Sequence, residues 1–197
     1  KILYKLKKKI NIDLDNIKKK TLDELLYHYS SDKADIFSKT NENGHGFSKI
    51  YAQHLDHLKN KNIKILEIGS FAGASAAAFS KYFTKSNIYC FDVNISNFIY
   101  SSKNIHVYGL NINDEHEVKK ILKKITLETE SNFFDIIIDD GSHYLSDILF
   151  SLKNLFRYVK KGGFYIIEDF KHPNYYEYNR NIKHILVDQV LKNLQKK

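Results

Sequence analysis

Asn62–Ser75, NIKILEIGSFAGAS, is the stretch on which the fold turns. Ile63, Ile65, Leu66 and Ile68 make Ile63–Ile68 an apolar run of the length and pattern of a buried strand. The run breaks at Gly69-Ser70-Phe71-Ala72-Gly73, and a helix is expected over about Ala74–Phe83. A strand that ends in a glycine turn and opens a helix is a candidate ligand site. Glycine lets backbone approach a ligand closely, and the first helical turn offers unpaired N–H groups. Ala74, Ala76, Ala77 and Ala78 suit close packing on a sheet. The pattern is Glu-x-Gly-x-x-x-Gly, not the Gly-x-Gly-x-x-Gly of dinucleotide enzymes. Taken alone, it fits an ordinary turn without a ligand equally well.

Working outward, four more strand candidates follow: Asn87–Asp92, Asn104–Gly109, Phe134–Asp139 and Gly163–Glu168. Helices are expected between them at Ala74–Phe83, Glu115–Leu127 and Tyr144–Val159, the last with an apolar stripe of Leu145, Ile148, Leu149, Leu152 and Leu155. Asn94–Lys103 is short for a helix and fits a loop or a single turn. Alternating strands and helices predict an α/β fold, a doubly wound, mostly parallel sheet with helices on both faces.

Upstream, Lys1–Lys20 is basic with scattered apolar residues and is expected to be helical in part. Thr21 and Glu24 fit a capping box ahead of a short helix to about Tyr29. Ser30–Gly46 is a long polar loop carrying Asp32, Lys33 and His45, either a functional loop or a plain surface one. Phe47–Leu58 has helical spacing, with His54 and His57 beside its apolar face as ligands or as ordinary helix histidines. Pro173, a Tyr-rich segment (Tyr175, Tyr176, Tyr178) and a final amphipathic helix over about Ile182–Leu194 close the chain. Residues 1–60 are expected to form an N-terminal helical segment and loop, and 61–197 a single compact domain.

The composition narrows the class. With 43% hydrophobic and 14% aromatic residues the chain is globular. No run is apolar and long enough to span a bilayer, and no signal peptide is visible, so a cytoplasmic location is expected. Cys90, the single cysteine, excludes an internal disulfide and is expected to be a buried small hydrophobe. A net charge of +8 permits a nucleic-acid, anionic-membrane or phosphorylated partner, although spread-out lysines more simply solvate a surface. Methionine is absent, even at position 1, so a longer gene product is expected.

In open α/β sheets, ligands bind beyond the carboxyl ends of the strands. Here those ends carry Gly69, Asp92, Asn111 with Asn113, the run Asp139-Asp140-Gly141-Ser142-His143, and Glu168 with Asp169. Asp92 can accept hydrogen bonds from ribose hydroxyls or simply cap a turn. Asp140 and Asp169 are at the ends of neighbouring strands and could share a hard cation such as Mg²⁺. His143 could then take a proton from a substrate hydroxyl. The plainer alternative has Asp140 and Ser142 capping the next helix, which leaves Glu168 and Asp169 unexplained.

With SDK and HGFSKIY upstream, then ILEIGSFAGAS, IYCFDVN, FFDIIIDDGSH and GGFYIIEDF, the chain resembles the class I S-adenosylmethionine-dependent methyltransferases over about Asp32 to Asp169. Within them it is similar to the metal-dependent sugar O-methyltransferases of antibiotic tailoring, and also to the cephalosporin-hydroxylase-like group of the same Rossmann-like fold. The resemblance implies S-adenosylmethionine as cofactor, with Glu67, Gly69, Ser70 and Gly73 along its methionine part, Asp92 at its ribose, and Asn111 and Ile112 by its adenine. It implies a divalent metal, Mg²⁺ above all, on Asp140 and Asp169 with Glu168 as third ligand, catalysis by His143 as general base and by Asp140, and a sugar or other small-molecule substrate. The departures are an Asn at 111 where an Asp is common, an insertion-like Ala34–Gly44, an unfamiliar FKHPNYYEY after Asp169, and no counterpart of the last two strands. A nucleic-acid methyltransferase, suggested by charge, would resemble its relatives in an Asn/Asp-Pro-Pro-aromatic motif where DDGSH stands. A non-catalytic cofactor-binding module is opposed by Asp140, His143 and Asp169. A homo-oligomer is open.

Overall fold

The computed structural model describes residues 8–17, 20–39, 44–169 and 185–196. Five strands form the central sheet: β1 (Ile63–Ile68), β2 (Ser86–Asp92), β3 (Ile105–Gly109), β4 (Phe134–Asp139) and β5 (Val159–Ile167). Their spatial order is β3-β2-β1-β4-β5, and every neighbouring pair is parallel. The chain runs outward from β1 to β3, then crosses back to lay β4 on the other side of β1. The crevice where the strand order reverses therefore opens at the carboxyl ends of β1 and β4.

Helices α1 (Leu22–His28), α2 (Asp35–Lys39), α3 (Ser48–Leu55), α4 (Ala74–Tyr82), α5 (Glu115–Thr129), α6 (Leu145–Leu155) and α7 (Val187–Gln195) surround the sheet. Alternation along β1 builds two cores. Ile63 and Ile65 face a cluster with Leu22, Leu25 and Leu26 of α1 and Ala76, Ala77, Ala78 and Phe79 of α4. Leu66 and Ile68 face Val118, Leu122 and Ile125 of α5 with Phe134 and Ile137 of β4. Burial on both faces explains why β1 and β4 are nearly continuous apolar runs. Ala76, Ala77 and Ala78 of α4 are wholly buried, so the helix lies close against the sheet. The helices before residue 60 share the first of these cores.

Most expected elements are present, with instructive differences. The Thr21–Glu24 capping box forms in both directions. The polar stretch 30–46 is not a bare loop: it holds α2, and His45 N–H donates to Asp32 O at 2.7 Å, closing it on itself. β5 begins four residues before the expected Gly163, because Lys160 to Gly163 continue the strand through an irregularity opposite Phe134–Ile136 instead of turning. Ile10–Asn11 pairs with Tyr100–Ser101 in a small parallel ladder, so the described part of the basic N-terminus is extended, with one 3-10 turn at Ile12–Leu14, rather than helical. The Tyr-rich segment and Ile182 lie outside the described residues. Among those described, no helix is long and apolar enough to cross a membrane.

Candidate active site at the carboxyl edge of the sheet

The site begins where β1 and β4 end. Asp140 N–H donates to Ile68 O at 3.0 Å, and Gly69 N–H donates to Phe91 O at 2.8 Å. A Cβ on Gly69 would lie 2.0 Å from Asp140 O, and its φ is +81°, so only glycine lets the two turns nest. Gly73, with φ +80°, precedes α4, and there a Cβ would strike the Phe98 ring at 2.4 Å. Gly73 therefore shapes the turn and lines neither of the cavities above it.

Those cavities, about 400 Å³ each, meet at Gly69 and Gly141. The first is walled by Ser31, Lys33, Ser70, Asp140, His143 and Asp169 among others. The second holds Asp92, Asn111 and Ile112. Asp92 accepts from the N–H groups of Phe71 and Asn94, both at 2.7 Å, so it does cap the turn while facing the second cavity. Glu67 lies beneath, wholly buried, with Oε1 accepting from Ser75 and Oε2 without a partner among the described residues. Burial pushes its carboxyl up to about 7, against the opposing pull of Lys33 and Ser75.

One oxygen or nitrogen each from Asp140, His143 and Asp169 falls within a 4.8 Å span. His143 Nε2 is 3.2 Å from Asp140 Oδ1 and 3.9 Å from Asp169 Oδ2. His45 Nδ1 approaches the same Asp169 Oδ2 at 3.4 Å. His143 and Asp169 both sit in the left-handed region, φ +60° and +50°. That conformation costs a non-glycine residue on the order of 1 kcal/mol and persists where surrounding structure imposes it. The hydrogen bond that His143 donates to Asp140 raises its pKa; burial opposes, and the charges of Asp140 and Asp169 add to the rise.

Glu168 stands apart from this trio. Its Oε2 accepts from Lys33 Nζ at 2.7 Å and its Oε1 from the Tyr51 hydroxyl. Lys33 Nζ also donates to Asp140 Oδ2. Burial alone would lower the Lys33 pKa, but Glu168, Asp140 and Glu67 together outweigh it and keep the ammonium charged. Lys33 and Tyr51 were not separable from a surface loop and a helix stripe by their local sequence. Ser142 accepts from Tyr144 N–H and donates to Asp147, so it does bind into the start of α6. His54 borders an apolar recess and His57 packs near Phe164, both outside the acidic cluster.

No family model matches the chain. It is 30% identical over 155 residues to the L-olivosyl-oleandolide 3-O-methyltransferase of Streptomyces antibioticus, covering 75% of this chain and 36% of that protein. It is 29% identical over 132 residues to the mycinamicin VI 2''-O-methyltransferase of Micromonospora griseorubida, covering 64% and 31%. Among solved structures, the MycE methyltransferase of the mycinamycin pathway with Mg and SAH aligns at TM-score 0.71 and 25% identity over 90% of this chain and 44% of that one. The same enzyme with Mg, SAH and mycinamycin VI aligns at 0.63 and 27% over 77% and 40%. The fold is that of the class I S-adenosylmethionine-dependent methyltransferases. The relatives are sugar O-methyltransferases of antibiotic tailoring, and this chain spans about a third of the length of the curated ones it matches.

Proposed function

We propose that the chain is the catalytic part of an S-adenosylmethionine-dependent O-methyltransferase that methylates a sugar hydroxyl, nucleotide-linked, in a surface polysaccharide or on a glycosylated metabolite, with a divalent cation. The observation that carries this reading is the Asp140–His143–Asp169 cluster on the wall of a cavity that begins at the Gly69 turn.

The residues suit both groups. The carboxylates of Asp140 and Asp169 are oxygen donors for a hard divalent ion such as Mg²⁺, and the His143 ring lies within the same 4.8 Å span. The Oε2 of Glu67, buried beneath the glycine turn, has no hydrogen-bond partner among the described residues and is open to a ligand's donor. In this reading Gly69 and Ser70 line the methionine part, with Glu67 buried beneath them and Gly73 setting the turn from outside the cavity, Asp92 takes the ribose, and Asn111 and Ile112 border the adenine. Asp140 and Asp169 hold the cation, while Glu168, the third ligand that the resemblance implies, has both oxygens engaged by Lys33 and Tyr51 and backs Asp140 through the shared ammonium. S-adenosylmethionine, when bound, supplies the methyl group, and a divalent cation supplies positive charge that eases ionisation of a sugar hydroxyl.

The chain's own residues then bind, orient and take a proton. The carboxylate of Asp140 accepts at His143 Nε2, so that nitrogen carries the hydrogen and Nδ1 is left to accept the hydroxyl proton. The two cavities share Gly69 and Gly141, which in this reading sets acceptor and donor side by side, and orientation of this kind is worth many powers of ten in rate. The buried, unpaired Cys90 fits a reducing, cytoplasmic setting.

The test is methyl transfer itself. Full-length protein, S-adenosylmethionine and Mg²⁺ are incubated with a panel of nucleotide sugars and glycosides, and products are read by mass spectrometry. A metal-dependent gain of one CH₂ on a sugar, lost in H143A, is the expected result. Unchanged turnover in H143A would overturn the assignment of the base, and transfer to RNA alone would overturn the substrate class.

A further inference from the structure

Lys33 is the one buried lysine among the described residues, and the proposed reaction makes no use of it. Its backbone is pinned: the N–H groups of Phe47 and Ser48, at the start of α3, both donate to Lys33 O at 2.9 and 3.0 Å. Its ammonium bridges Asp140 Oδ2 and Glu168 Oε2. The far oxygen of Glu168 is held by Tyr51, and the far oxygen of Asp140 faces His143. Tyr51, Glu168, Lys33, Asp140 and His143 thus form one continuous chain in which each carboxylate oxygen has a different partner.

A carboxylate with one partner can exchange its two oxygens by rotation. With a buried ammonium fixed on Oδ2, Asp140 has Oδ1 left for the histidine, and which imidazole nitrogen carries the hydrogen follows from the bond that nitrogen makes. We propose that Lys33 is a positioning residue: it fixes Asp140 so that His143 is held as a single tautomer, Nε2–H on Asp140 and Nδ1 open to the substrate proton. This rests on His143 being the base proposed above. The rival role, in which Lys33 only neutralises buried Glu168, makes no demand on the tautomer.

The test reads the histidine ring directly. Long-range ¹H–¹⁵N spectra are recorded at alkaline pH on the full chain, with the His143 signals assigned by their loss in H143A. Wild type shows one Nε2–H tautomer. K33M shows two, with kcat down about 10- to 100-fold, the range for residues that orient a site's ligands, and KM for S-adenosylmethionine changed less than about twofold. K33R, which keeps a cation between the carboxylates, restores the single tautomer. If K33M does not fold, K33Q keeps length and polarity without charge and must show the second tautomer as well. A single tautomer in folded K33M or K33Q, or a mixture in wild type, overturns the proposal. Loss of kcat with the tautomer unchanged overturns Lys33 alone, whereas wild-type turnover in H143A overturns the base.

Discussion

At the amino ends of the strands, Lys160 pairs with Asp135 at 2.9 Å, and Lys64 donates to Thr129 and to Ser131 O, tying the end of α5 to β1. At the carboxyl ends, Lys33 bridges Asp140 and Glu168. The residue types are the same, and the surroundings differ. The Lys160 side chain is 59% exposed; those of Lys33 and Glu168 are each 3% exposed. The amino-end cavity is the larger, about 650 Å³ against about 400 Å³ for each of the two at the other end. Cavity size therefore does not locate the chemistry. Charge taken out of water and made to converge is costly, and a chain retains it where it is used.

Histidines give the sharpest contrast. His143 sits against two carboxylates, while His106 stacks on Tyr89 at the opposite end, ring centroids 4.8 Å apart. H143A is expected to cost about 10²- to 10⁴-fold in turnover, the usual share of a general base, with S-adenosylhomocysteine binding retained. H106A is expected to leave turnover within about twofold. A comparable loss in both would erase the distinction between the two ends.

Two glycines with left-handed backbones sharpen it next. A Cβ at Gly69 meets Asp140 O at 2.0 Å, while at Gly162, φ +77°, it meets nothing within 4 Å. Gly69→Ala should therefore cost about 3 kcal/mol or more, conformational strain and clash together. Gly162→Ala should cost only about 1 kcal/mol of strain. Urea unfolding checks both, and equal costs would mean that the nested turns relax freely.

Protons report on the buried side as well. Glu67 rises from an ordinary 4.5 to about 7 when folded, so between those values the folded chain keeps a proton that the unfolded chain has released. The contribution of Glu67 to stability must then fall as pH rises through this window, by on the order of 3 kcal/mol. Unfolding of wild type and E67Q at about pH 5 and about pH 8 measures it, and E67Q should show the flatter response. Smallest of all, K160A should cost under about 1 kcal/mol by urea unfolding, as exposed ion pairs generally do.

The sheet was legible because its signals are local. Ile63–Ile68 and Phe134–Asp139 begin and end as their apolar runs do. β5 was foreshortened because Lys160-Lys161-Gly162-Gly163 has the composition of a turn, and pairing with β4 overrides it. The acidic ends of β4 and β5 were legible as a candidate metal-binding set of Asp140, Asp169 and Glu168 beside a histidine base; the structure clusters Asp140 and Asp169 with His143 and turns Glu168 to Lys33 and Tyr51 instead. The partners of Glu168 were not legible. Lys33 lies in a polar stretch with every local sign of a solvated lysine, and its burial follows only from the return of a strand more than a hundred residues later. Tyr51 looked like one more apolar position of α3, because spacing reports the face of a helix but not what its hydroxyl meets.

Calorimetric titration of the full-length protein with S-adenosylhomocysteine, with and without Mg²⁺, tests the central claim most directly. The account predicts saturable binding at one site that is weakened in E67Q and kept in H143A, and Mg²⁺ binding that disappears when Asp140 and Asp169 are both changed to Asn. No heat of binding for S-adenosylhomocysteine under either condition would contradict it, and would reduce the Gly69 turn to a packing device.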